Sequence, residues 1–132
     1  MKIYISASIP RVKEACDLGL ILKKAGHTLV SYWHETSECN YHSTDRAVRD
    51  LEGVEECEMF IELIGDSESR GGRHCELGIA LALDKQIILI GTDDDCIFTW
   101  LPRRYLTRIE SVAKFIAERI MIQDYIIDTE VE

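Results

Sequence analysis

Apolar residues along the chain follow two alternating rhythms. Lys2–Ser8 (KIYISAS) places Ile3 and Ile5 in a short run that ends in small polar residues, which predicts a strand. Arg11–Ala25 carries Ala15, Leu18, Leu22 and Ala25 at spacings of three and four, which predicts a helix stopped by Gly26. Thr28–Trp33 (TLVSYW) is β-branched and aromatic and reads as a second strand. His34–Ser43 is a polar loop. Thr44 caps a helix reaching about Cys57, with Ala47, Leu51 and Val54 as its buried stripe. Met59–Ile64 (MFIELI) is a third strand, Gly65–Gly72 a turn, and Arg73–Leu83 a helix with a nearly continuous apolar centre. Gln86–Ile90 (QIILI) is a fourth strand, closed by Gly91 and an acidic loop, Thr92–Cys96. Ile97–Leu101 forms a short helical turn ended by Pro102, and Tyr105–Ile109 a short edge strand. Glu110–Met121 is amphipathic, with Val112, Phe115, Ile116 and Ile120 inward, and Asp124–Glu132 is a tail mixing Tyr125, Ile126 and Ile127 with acids.

Strands alternating with helices imply βαβ units and a parallel sheet covered on both faces. The expected fold is α/β: a flavodoxin-like, Rossmann-like three-layer sandwich with five parallel strands in the order 2-1-3-4-5. No repeat or linker interrupts residues 1–132, which read as one domain with 124–132 as its tail. Ligands of such sheets sit outside the carboxyl ends of the strands, where strand order reverses. That point lies between the exits of strands one and three, Ala7–Arg11 and Gly65–Gly72.

The formal net charge of −9 disfavours a nucleic-acid polymer as partner. A single small anion remains compatible, because backbone N–H groups at a helix start can hold it. No apolar run reaches the length of a membrane span, and Met1 leads straight into a strand, so a cytoplasmic protein is expected. The five cysteines form no C-x-x-C pair and read as reduced thiols. Cys39 and His42, with His34 nearby, have ligand-like spacing. A tetrahedral zinc site needs three or four committed ligands, so no metal is expected there.

Three segments that converge on the sheet edge carry candidate chemistry. In YISASIPR, Tyr4 lies within strand one, with Ser6 and Ser8 near its end. Tyr4 reads equally as a core aromatic and as a site group, and Ser8 equally as a helix cap. In DRAVRDLEGVEECE, Asp50 borders the buried face of its helix, although most acids there only keep a face wet. In SESRGGRHCELGIALA, a Ser- and Gly-rich turn opens a helix whose amides can cradle a phosphate. Arg70 and Arg73 add charge, and Gly71 and Gly72 permit close backbone approach. Glu76 lies in or near the first turn, where the helix dipole favours the ionised carboxylate that a nucleophile requires. A first-turn glutamate also occurs simply to stabilise its helix.

Together these segments resemble the nucleoside 2-deoxyribosyltransferase-like family, which includes the 2′-deoxynucleoside 5′-phosphate N-hydrolases. The similarity runs from KIYISAS to about Ile116. It is sharpest in RGGRHCELGIALALDK (Arg70–Lys85) and in FTWLP (Phe98–Pro102), shared with small bacterial and phage members. The resemblance implies that Glu76, before Leu77–Gly78, is the catalytic glutamate and Asp50, before Leu51, the catalytic aspartate. It sets Tyr4, in the pattern Y-x-x-x-S-I, beside them. Ser8, Ser69, Arg70, Gly71, Gly72 and His74 are the implied substrate-binding set, with His74 peculiar to the RGGRH group. The chain departs from the hydrolases at Pro10 and Arg11, where they continue with R-G-G.

The same resemblance implies cleavage or transfer at the N-glycosidic bond of a (deoxy)nucleoside or its 5′-monophosphate. Glu76 would attack C1′ and form a glycosyl-enzyme ester, as in retaining glycosidases. Asp50 would protonate the leaving base or orient the sugar, and Trp33, Trp100 or Phe98 would stack on the base. No metal or organic cofactor is implied, and the expected assembly is a homo-oligomer, a dimer or larger. Two alternatives stay open: a glycohydrolase acting on NAD or another nucleotide, and a non-catalytic nucleotide-sensing module.

Overall fold

The computed structural model describes residues 1–35, 44–65, 71–92 and 96–121. Five strands form one parallel sheet: β1 (Lys2–Ser6), β2 (Thr28–Leu29), β3 (Met59–Leu63), β4 (Gln86–Ile90) and β5 (Thr107–Ile109). Their order is β2-β1-β3-β4-β5, as the alternating pattern predicts. Helices α1 (Val12–Lys24), α2 (Thr44–Glu56), α3 (Gly72–Ala82) and α4 (Val112–Phe115) connect and follow them. Nearly every position of β1, β3 and β4 is buried, because helices cover both faces of the sheet.

The register fixes which side chains share a face. Tyr4 pairs with Phe60 and Ser6 with Glu62 across β1 and β3, and Phe60 and Glu62 pair with Ile87 and Leu89 of β4. This face carries the polar groups at its carboxyl edge. The alternate positions, Ile3, Ile5, Ile61 and Ile88, turn to the opposite side and belong to the apolar core.

Two elements differ from the sequence expectation. The second strand is only Thr28–Leu29, not Thr28–Trp33. After Val30 N–H donates to Ile3 C=O at 2.9 Å, side chains replace the backbone ladder. Ile5 N–H donates to Ser31 Oγ at 3.0 Å, and Trp33 Nε1–H donates to Ile5 C=O at 2.7 Å. The chain thus leaves the sheet early and turns through Trp33–Glu35 while its edge stays satisfied.

The buried stripe of α2 is the second difference. Ala47 and Leu51 are exposed, whereas Gly53 and Val54 are buried. The helix seats on the sheet through a residue that has no side chain. A Cβ at Gly53 would lie 2.3 Å from Val30 O and 3.0 Å from the Tyr4 ring. Periodicity of apolar side chains cannot register such a contact. Gly53→Ala is therefore expected to lift α2 from Tyr4 and destabilise the fold by about 1–3 kcal/mol, the range of core overpacking, as urea denaturation would read it.

Elsewhere the boundaries move by a residue or two. Beyond α4 the chain continues as a π-helical stretch, Ile116–Met121, with Phe115 and Ile120 buried five residues apart.

Candidate active site

β1 delivers Tyr4 and Ser6 to the carboxyl edge of the sheet, and α3 delivers Glu76 onto them. The Tyr4 hydroxyl donates a short hydrogen bond to Glu76 Oε2, and Ser6 Oγ donates to Oε1 at 2.9 Å. Both carboxylate oxygens are thereby oriented. The Tyr4 ring is fully buried and stacks on Phe60 with centroids 5.8 Å apart, so its hydroxyl projects from a fixed platform. Tyr4 is thus both a core aromatic and a site group. Glu76 is half-buried and is the fifth residue of α3, at the end of its first turn, in line with the sequence reading.

Arg73 lies three residues before Glu76 and so shares its face of the helix. The loop-charge role expected of Arg73 does not match its surroundings. It is buried, with Nη1 3.4 Å from Oε2 of Glu62, itself fully buried on β3. Glu62 is the register partner of Ser6. Two neighbouring strand residues, Ser6 and Glu62, therefore reach two residues on one turn of α3.

Gly71 precedes α3 in a left-handed conformation, φ +100°, which glycine adopts without strain. Its carbonyl accepts from the N–H groups of His74 and Cys75, each at 3.1 Å. Gly72 is exposed, and His74 is half-buried, its Nδ1 enclosed with no hydrogen-bond partner among the described residues. Ser69 and Arg70 lie outside the described residues, as do Cys39 and His42; His34 makes a 2.9 Å hydrogen bond to Ser31. Ser8 is buried at the start of the turn before α1, and its side chain makes no capping hydrogen bond. Arg11 ties the two strand exits together. Its Nη1 donates to Ile64 C=O at 2.8 Å, while Nε and Nη2 engage the Glu14 carboxylate.

Asp50 is half-buried on α2 and lines a hollow with Tyr32, Trp33, Arg46 and Arg49. Trp33 thus walls this hollow while its indole N–H is held by Ile5. Phe98 and Trp100 are exposed, and the Trp100 ring lies 5.7 Å from the Arg108 guanidinium.

The electrostatics divide the two carboxyl groups from ordinary surface acids. Burial pushes Glu76 up to about 7; the hydrogen bonds from Tyr4 and Ser6 oppose the shift, and the charge of Asp50 adds to it. Asp50 is also raised, by burial first, against the pull of Arg46 and Arg49. Tyr4 is held well above its usual value by burial, then by the charges of Glu76 and Asp50. These three groups therefore sense one another. Near neutral pH the cluster offers an ionisable carboxylate with both oxygens oriented, beside a second carboxyl whose hold on its proton is raised by burial.

Sequence reasoning names Ser6 and Arg73 in the candidate segments but misses Glu62, the hydrogen bond of Ser6 to Glu76 and the pairing of Arg73 with Glu62. The one signal for the pair is Glu62 itself, a charged residue inside MFIELI, a strand that should be buried on both faces.

The sequence matches no family model and no curated protein. Several solved structures share its fold. The CMP N-glycosidase BcmB of Clostridium botulinum is similar at a TM-score of 0.63 and 23% identity, over 95% of this chain and 99% of that one. A 2-deoxyribosyltransferase from the psychrotolerant bacterium Bacillus psychrosaccharolyticus is similar at 0.64 and 23%, over 84% and 87%. A conserved protein from Enterococcus faecalis V583 is similar at 0.64 and 17%, over 93% and 98%. The parallel α/β sandwich of order 2-1-3-4-5 is thus common to all of them. Among the described residues, no helix is long and apolar enough to cross a membrane.

Proposed function

We propose that this chain is an enzyme of the nucleoside 2-deoxyribosyltransferase-like family. On this reading it cleaves or transfers at the N-glycosidic bond of a (deoxy)nucleoside or nucleoside 5′-monophosphate. The observation that carries the reading is the Glu76 carboxylate, oriented through both oxygens by Tyr4 and Ser6 of β1. Two structures of the same fold are a CMP N-glycosidase and a 2-deoxyribosyltransferase, which supports the reaction class.

In the proposed mechanism the ionised Glu76 attacks C1′. The C1′–N bond breaks, its electron pair leaves with the nucleobase, and the proton of Asp50 passes to that base. The anomeric carbon traverses an oxocarbenium-like state that the neighbouring carboxylate stabilises. Water, or a second base in transfer, then attacks C1′ of the ester. Asp50 takes back a proton and Glu76 is released as carboxylate. Tyr4 and Ser6 keep the attacking oxygens aligned. The start of α3, with Gly71 and Gly72, together with Ser8, Ser69, Arg70 and His74, holds the 5′-hydroxyl or 5′-phosphate. The assembly is proposed to be a homo-oligomer.

A panel of deoxynucleosides, their 5′-monophosphates and NAD, incubated with the full chain, tests the proposal. Free base without an acceptor indicates hydrolysis, and base exchange only with an acceptor indicates transfer. Nicotinamide as the only base released from the panel, with ADP-ribose as its counterpart, would move the reading to NAD, and tight binding without product would remove catalysis. Asp50→Asn keeps the shape but loses the transferable proton. Its kcat is expected to fall about 10²-fold or more, with the smallest loss for substrates whose base leaves most readily.

A further inference from the structure

We propose that the buried Glu62–Arg73 pair is a positioning device that clamps the first turns of α3 to β3 and so keeps the Glu76 carboxylate on Tyr4 and Ser6. The inference deepens the proposed function and rests on Glu76 being its nucleophile. The pair consists of two ionisable side chains, 0% and 3% exposed, in a protein interior. Removing both from water costs several kcal/mol per ion, and an apolar pair of similar volume commonly serves stability as well or better. Stability alone therefore gives no reason for charges at these positions.

Geometry supplies one. Ser6 and Glu62 are register partners on adjacent strands, which places them about 5 Å apart. Arg73 and Glu76 are three residues apart on α3, neighbours on the same helix face. The contacts Ser6–Glu76 and Glu62–Arg73 are thus two rungs between the same pair of strands and the same helical turn. The turn they pin comes directly after Gly71, whose left-handed backbone makes the entry to α3 permissive. An apolar contact would slide there. A guanidinium–carboxylate contact fixes distance and direction. Glu76 is hydrogen-bonded by Tyr4 and Ser6 of β1 and senses the charge of Asp50 on α2, with Glu62 of β3 and Arg73 of α3 forming the adjoining rung.

The test is the double variant Glu62→Leu/Arg73→Met in the full chain, measured in three ways. Thermal unfolding is expected at or above the wild-type midpoint. The kcat is expected to fall 10- to 100-fold with KM within about threefold. The carboxyl carbon of Glu76, followed by NMR in glutamate-labelled protein, is expected to titrate below the wild-type midpoint of about 7, because a released side chain regains water. A double variant with wild-type kcat and an unmoved Glu76 titration would overturn the proposal. Arg73→Lys keeps the charge and loses the planar fork. It carries the same test should the double variant fail to fold, with a several-fold loss in kcat and a titration shift in the same direction expected. If the wild type turns over no nucleoside or nucleotide, the enzymatic reading falls, and the titration still decides whether the pair positions Glu76.

Discussion

Glu76→Gln is expected to lower kcat by at least 10³-fold while the fold persists and gains stability at alkaline pH. The first effect comes from the proposed chemistry: an amide neither attacks C1′ nor leaves as a carboxylate, so the covalent route closes. The second comes from linkage. Glu76 titrates at about 7 in the folded protein against an ordinary 4.5, chiefly because burial disfavours its charge. Between those values the folded chain binds more protons than the unfolded one. The stability associated with protonated Glu76 is full below about 4.5 and is lost as pH rises through about 7. At 1.36 kcal/mol per unit, the shift corresponds to at most about 3 kcal/mol. Glutamine never ionises. The stability gap between variant and wild type should therefore widen by about 1–3 kcal/mol between pH 4 and pH 8, the lower end reflecting partial relaxation and the weaker acceptance of two hydrogen bonds by an amide. Parallel urea curves at the two pH values would measure it. An unchanged gap would mean that the Glu76 carboxyl is solvated like a surface acid.

Tyr4→Phe is expected to move the acid limb of kcat/KM to higher pH and to lower kcat about 10- to 100-fold at pH 7. The nucleophile must be ionised, so the limb in the wild type should lie near 7. The Tyr4 hydroxyl donates to Glu76 and favours its charged form. Without it, burial and Asp50 act with less opposition, and the carboxyl holds its proton to a higher pH. At pH 9 much of the rate should return, because the variant is then ionised too. The residual deficit reports lost orientation. Ser6→Ala should shift the limb in the same direction by less, since the hydrogen bond from Tyr4 is the larger of the two influences. A limb displaced to lower pH in Tyr4→Phe would contradict the assignment of Tyr4 as donor to the charged form.

Much of this arrangement is legible in the sequence because it rests on burial patterns. KIYIS, MFIEL and QIILI are apolar enough to be central parallel strands, and the strand–helix alternation then leaves little choice of order. That order sets the crevice between the exits of β1 and β3. It also sets the approach of Tyr4 and Glu76, which lie 72 residues apart in the chain. Contacts that apolar periodicity does not encode stayed hidden. Gly53 seats α2 by lacking a side chain, so the predicted stripe fell on Ala47 and Leu51, which face solvent. Ser31 and Trp33 complete the sheet edge with side chains, so a six-residue strand was expected where two residues pair. Arg73 comes after a glycine-rich turn and reads as a loop charge, although its partner Glu62 lies within a strand. Ion pairing between distant residues leaves no periodic trace in either segment.

Covalent bond formation at one carboxylate is the central claim. Rapid acid quench of the full chain with a turned-over deoxynucleoside or its monophosphate, then proteolysis and mass spectrometry, reads this directly. The predicted result is one sugar unit added to the peptide His74–Lys85 at Glu76, absent in Glu76→Gln. Full turnover with no adduct there, or with the sugar on another residue, would contradict it.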